Sequence, residues 1–220
     1  MNHIIFILHT ALISGLTLFF GRIGKSALTS YISLLFVLTN IFVIKQMDLC
    51  GYCATCADAY IIGVSFGINL LQEIWGKKIA QKAIFTSFAC SLFYLVMGYF
   101  HLWYIPTAYD TSQIHFAYLL ENTLRIICAS FISYLIVQYA DTNLYGFMKK
   151  HCNGNYFVLR NYLSMFSSQL FDTIIFSYLG LYGLVQNIHQ IMIVSYGIKV
   201  VAILLTTPFI YYAKKIVKKS

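Results

Sequence analysis

Charge is what this chain has least of. Only 10% of its 220 residues are Asp, Glu, Lys or Arg, and seven are acidic. A soluble domain carries about a quarter of its residues as charges, which excludes a water-facing globule. Proline is scarce too, with two in the whole chain, and no linker, internal repeat or low-complexity tract divides the sequence. Catalytic signatures are missing: there is no G-x-S-x-G, no glycine-rich phosphate loop and no H-E-x-x-H. An enzyme is therefore the weak reading, and no metal or cofactor is expected. No Lys or Arg precedes the first apolar run, so a secretory signal peptide is not expected either.

What fills the chain instead is apolar surface, 60% of its residues. Seven segments approach or exceed the ~20 residues that a spanning helix needs. They are His3–Phe20, Ala27–Ile44, Ala57–Ile74, Ile79–Tyr99, Phe116–Gln138, Asn161–Val185 and Gln190–Ala213. The expected fold is all-α, a polytopic integral membrane protein of about seven transmembrane helices, six being the alternative count. Residues 1–220 are expected to form one transmembrane domain.

Basic residues set the expected orientation. Arg22, Lys25, Lys77, Lys78, Lys82, Lys149, Lys150, Arg160, Lys214, Lys215, Lys218 and Lys219 alternate onto one side, and Lys45 stands alone on the other. Twelve of thirteen on one side is the pattern of cytoplasmic loops. It places the N-terminus outside and the C-terminus in the cytoplasm. The net charge of +8 comes from this asymmetry. The lysines are spread over four edges and form no reading element, so no nucleic-acid partner is expected.

Glu73, Glu121 and Asp172 fall inside apolar segments, as do Arg125 and Lys199. A charge at bilayer depth costs about 2.5–3.5 kcal/mol, so such residues face a bundle interior or a wet cavity. Asp48, Asp110 and Asp141 read as solvated charge in loops or at helix ends. Asp58 reads as a complement to the positive N-terminal dipole of the third helix.

At about 100° per residue the polar positions form seams. Asn161, Ser164, Ser168 and Asp172 share one stripe of the sixth segment, with Gln169 beside it. Ser65, Asn69, Gln72 and Gly76 align in the third, with Glu73 on the flank. Glu121, Arg125 and Cys128 align in the fifth, and Ser195, Lys199, Ala202 and Thr206 in the seventh. None can face lipid with its polar groups satisfied, so the seams are expected to converge on a common cavity.

Two pairings would lower the charge cost: Glu121 with Arg125 at i, i+4, and Asp172 with Lys199 between helices. Either also serves as a device that joins helices, and Glu73 has a local partner in Lys77. Phe171, Phe176 and Tyr196 stand near the seams, where they would stack on a flat ligand. Pro208 frees the carbonyl of Leu204 and predicts a kink.

Cys50, Cys53 and Cys56 form the run CGYCATC, half of an iron–sulfur or zinc motif. No fourth ligand is close in sequence. The run reads first as a tight loop before a helix, with a redox or metal role left open.

Several of these segments resemble a known family. Asn69–Ala83, NLLQEIWGKKIAQKA, is similar to the acidic-x-aromatic-Gly-x-x-x-Ala-x-x-Ala signature of the queuosine-precursor transporters, earlier grouped as vitamin-uptake transporters. Arg160-Asn161, followed by Ser168-Gln169-x-x-Asp172-Thr173-x-x-Phe176, resembles that family's R-N and S-Q-x-x-D-T-x-x-F box. Lys199 matches its lysine helix, Arg125 its R-x-x-x-A-S-x-x-x-Y segment, and Asn40 with Lys45 its N-x-x-x-x-K element. The likeness runs from about Gly21 to the C-terminus.

The resemblance implies a carrier in the bacterial inner (cytoplasmic) membrane. Its substrate would be a small molecule, a 7-deazaguanine base such as preQ0, preQ1 or queuine, imported for tRNA modification. It implies substrate-binding roles for Asp172, Gln169, Asn161, Ser168, Thr173, Asn69 and Glu73. Lys199, Arg125, Glu121 and Arg160 would balance charge or gate. The alternative is a substrate-binding membrane subunit driven by a separate ATPase. A homodimer is left open.

Overall fold

The computed structural model describes residues 1–49, 51–121, 124–183 and 188–217. Its helices are α1 (Asn2–Ile23), α2 (Lys25–Phe42), α3 (Asp58–Trp75), α4 (Lys77–Trp103), α5 (Gln113–Glu121), α6 (Leu124–His151), α7 (Phe157–Phe176), α8 (Ile188–Leu205) and α9 (Thr207–Ile216). Each expected segment is helical. The described parts of the fifth lie in α5 and α6, on either side of residues 122–123, the sixth continues from α7 into a π-helical turn, Ser177–Leu181, and the seventh breaks between α8 and α9.

The last break follows from Pro208. With no N–H at that position the Leu204 carbonyl has lost its helical partner, and the Thr207 hydroxyl takes it instead. Thr207 also meets the Tyr162 hydroxyl, which ties the break to α7.

Among the described residues one hairpin is not helical. β1 (Gln46–Leu49) and β2 (Tyr52–Thr55) pair antiparallel, Leu49 opposite Tyr52, where the sequence predicted only loop. Gly51 lies in the connection at φ 81°, a left-handed conformation that glycine adopts without strain.

α3 is the axis of the molecule. Every residue from Asp58 to Gln72 is buried except Tyr60, and α1, α2, α4, α6, α7 and α8 all pack on it. Gly63 and Gly67 permit that density: a Cβ on Gly63 would lie 2.3 Å from Ile13, and one on Gly67 would lie 2.8 Å from Ile32.

The distribution of polarity is inverted relative to a soluble protein. Asn69, Gln72, Gln138, Asp141, Arg160 and Gln169 are all at most 2% exposed. Ile4, Leu8, Leu12, Phe85, Phe93 and Ile193 are each more than half exposed. An interior of amides and charges under an apolar exterior is stable in lipid and not in water. α1, α2, α4 and α8 are long and apolar enough to cross a membrane by length and composition. α3, α6 and α7 are as long, but carry the polar interior.

Candidate functional site

The polar interior lies in three layers along α3 and α7. In the first, Lys199 of α8 donates to Asp172 of α7 at 2.8 Å and to the Thr173 hydroxyl at 3.2 Å. The Ser133 hydroxyl of α6 donates to the other Asp172 oxygen at 2.7 Å. Both charged side chains are largely withdrawn from the surface, Lys199 to 7% exposure and Asp172 to 15%. They line a cavity of about 60 Å³ with Asp58, Ser130, Tyr134, Phe176 and Ser195. Asp58 is 3% exposed and accepts hydrogen bonds from Thr55, leaving one carboxylate oxygen unpartnered. The wall thus mixes two carboxylates, one ammonium, hydroxyls and three aromatic side chains, Phe36 being the third.

One turn along α7 the second layer begins. Gln169 and Gln138 both donate to the Ser65 hydroxyl, at 2.9 and 3.1 Å. Beyond them Asn69 donates to Ser164 at 3.4 Å, and Ser164 donates to Asp141. Ser168 turns back onto the Met165 carbonyl, and Asn161 onto that of Phe157. These side chains knit α3, α6 and α7 together.

The third layer is ionic. Glu73 of α3 receives Arg160 of α7 in a two-pronged pair, at 3.0 and 3.2 Å. Lys149 of α6 and Lys214 of α9 lie 3.2 and 2.5 Å from the same carboxylate. The Tyr145 hydroxyl adds a bond at 3.0 Å. Planar pairing and the Arg160 bonds to the Asn155 and Gly154 carbonyls satisfy a guanidinium that is 1% exposed. Arg160 and Asp172 are about 18 Å apart along α7 at 1.5 Å per residue.

Residues 59–213 match the model of a family described as "Putative vitamin uptake transporter". The match covers most of the chain. The chain belongs to that family. A curated relative from Bacillus subtilis (strain 168), "Probable queuosine precursor transporter", is 30% identical over 206 residues, 91% of this chain and 89% of the relative. No solved structure matches the chain.

For this vitamin uptake transporter family member the seams do not share a single cavity. Asp172 and Lys199 meet in the interhelical pair considered above, and Thr173, named from the resemblance, joins them. Gln169 lies just beneath them, facing Ser65. Asn69 and Asn161 belong to the second layer, with Ser168 buried beside it. Glu73 is held in the third with Arg160, so a molecule seated at Asp172 cannot also reach Glu73. The anticipated Glu73–Lys77 pair is absent for a local reason. Gly76, at φ 95°, ends α3 and turns the chain, and Lys77 reaches Asn143 at 2.5 Å instead.

The fifth seam departs most. Arg125 is exposed and donates to the carbonyls of Leu179 and Tyr182, capping the end of the π-helical turn. The side chain of Glu121 lies outside the described residues, as do Cys50 and the side chain of Cys53. Of the three aromatics, Phe176 alone lines the cavity. Phe171 is 56% exposed, and Tyr196 donates to the Phe166 carbonyl.

Three acidic or hydroxylic residues at the site were not anticipated. Asp141 is 2% exposed, not solvated, because α6 runs ten residues past it to His151. Asp58 faces the cavity, although its place at a helix start gave it a complete explanation. Ser133 carried no signal, being off the stripe of Arg125. Ser130 and Tyr134 were within reach as positions of the R-x-x-x-A-S-x-x-x-Y resemblance.

Proposed function

We propose that this transporter imports a queuosine precursor, a 7-deazaguanine base, across the bacterial inner membrane as a secondary carrier, its whole chain acting as one transport domain. The reading takes its substrate class from the name of the Bacillus relative. The observation that carries it at this chain is the Asp172–Lys199 pair in a small cavity with Phe176 and Tyr134.

A guanine-type edge offers a ring N–H and an exocyclic amine side by side, and one carboxylate accepts both. The adjacent carbonyl oxygen requires a donor, which Lys199 supplies in place of its bond to Asp172. Phe176 or Tyr134 covers the ring face. Adenine presents the reverse pattern and leaves the carboxylate partly unpaired. Substrate and lysine thus compete for Asp172, and binding breaks the pair that joins α7 to α8. The cavity falls well short of the roughly 300 Å³ of a small ligand pocket, so the base enters only as the walls part. The Glu73 cluster, with its lysines on the basic side of the chain, closes the cytoplasmic end.

The test is uptake in a strain unable to make queuosine, supplied with each precursor separately and scored by modified tRNA. Hydrogen bonds to a charged group contribute about 1.5–3 kcal/mol each. Losing two should lower uptake by more than about a hundredfold. Asp172→Ala is expected to show that loss at normal membrane abundance, and undiminished uptake would sink the assignment.

A further inference from the structure

Asp141 is a buried acid for which base recognition provides no role. Among the described residues no Lys, Arg or His forms an ion pair with it. Arg160, Lys149 and Lys214 are all engaged by Glu73. One Asp141 oxygen accepts the Ser164 hydroxyl and the other has no partner. A carboxyl group in that position is either protonated and neutral, or ionised and compensated by a metal cation.

Its surroundings separate the two. The side-chain oxygens of Asn69, Gln72 and Asn161 are also buried and unpartnered. Their orientation is fixed by their nitrogens. Gln72 donates to the Thr142 carbonyl at 2.7 Å and Asn161 to the Phe157 carbonyl at 3.2 Å, acceptors that a flipped amide oxygen would repel. Asn69 donates to a Ser164 hydroxyl whose own proton goes to Asp141. Gln72 stands three residues from Asn69 on α3 and Asn161 three residues from Ser164 on α7, so both residues are within about one helical turn of the Asn69–Ser164–Asp141 contact.

A proton on Asp141 donates once and satisfies one of them. A cation accepts from all. One carboxylate among neutral oxygens balances a single positive charge, whereas calcium sites gather several carboxylates. We propose that Asp141, with the side-chain oxygens of Asn69, Asn161 and Gln72, forms a sodium site between α3, α6 and α7. The inference rests on the carrier reading for its purpose, which is to couple the sodium gradient to substrate movement.

The experiment reads binding without substrate, so its failure leaves the substrate assignment standing. Thermal unfolding of the purified full-length protein is followed while sodium chloride replaces choline chloride at constant ionic strength, with potassium chloride as a parallel arm. A saturable rise in unfolding temperature with sodium, smaller with potassium, is expected. Asp141→Asn should abolish the rise. Asn69→Ala and Asn161→Ala should each raise the half-saturating sodium concentration about tenfold or more. No sodium response in the wild type, a response that follows pH alone, or an undiminished response in Asp141→Asn overturns the proposal. If Asp141→Asn does not fold, unchanged half-saturation in both alanine variants overturns it equally.

Discussion

A carboxylate and an ammonium enclosed in an apolar bundle depend on each other for what water would otherwise supply. Removing one partner of such a pair leaves a stranded charge, at up to about 3–5 kcal/mol, whereas removing both is close to neutral. Asp172→Asn and Lys199→Gln should therefore each lower the unfolding temperature more than the double variant does. A double-mutant cycle by thermal unfolding measures the coupling, and additive effects would show that the two charges are solvated separately. The pair was legible in the sequence because few charges occur in apolar segments, so the choice of partners is small. Asp141 was not, because hydropathy falls within a few residues of it and a buried helix extension looks like a surface end. Glu73 was assigned a partner by i, i+4 spacing, a rule that fails when glycine breaks the helix between the two.

At the scale of the elements, close packing around α3 is what holds the three polar layers in register. Gly63 allows Ile13 of α1 and Leu35 of α2 to approach, and a Cβ there would also lie 3.1 Å from the Leu35 side chain. Gly63→Ala should destabilise the protein by about 1–3 kcal/mol, seen as a lower unfolding temperature, and Ile13→Ala in the same chain should recover part of it. Equal stability of Gly63→Ala and wild type would mean that α1 is free to retreat. The helices themselves were legible because apolar runs of spanning length have few other solutions. The break at Pro208 was legible because a missing N–H has a fixed consequence. The β1–β2 hairpin was obscured, since its strands are four residues each and the cysteine run that overlaps the second strand drew the reading toward a loop.

For the whole molecule, Lys149, Arg160 and Lys214 converge on Glu73, which puts the adjoining ends of α3, α6, α7 and α9 on one face. In the orientation expected from the positive-inside pattern that face is cytoplasmic, and this is open to test. In a chain whose native cysteines are replaced by alanine, a cysteine at Asp48 should react with a membrane-impermeant thiol reagent in intact cells. One at Lys78 should react only after permeabilisation. The reverse result would invert the orientation.

The interruption between α8 and α9 has a mechanical meaning. α7 is a continuous beam that carries Asp172 near one end and Arg160 near the other. Alongside it α8 and α9 form a jointed rod, with Lys199 on one arm paired to Asp172 of α7 and Lys214 on the other paired to Glu73 of α3, the carboxylate that Arg160 also holds. A rigid rod would have to release both contacts in one stroke, opening a through-path. In the carrier proposed above, a joint at Thr206 serves to let either arm swing away while the other stays latched, as moving a solute without a leak requires.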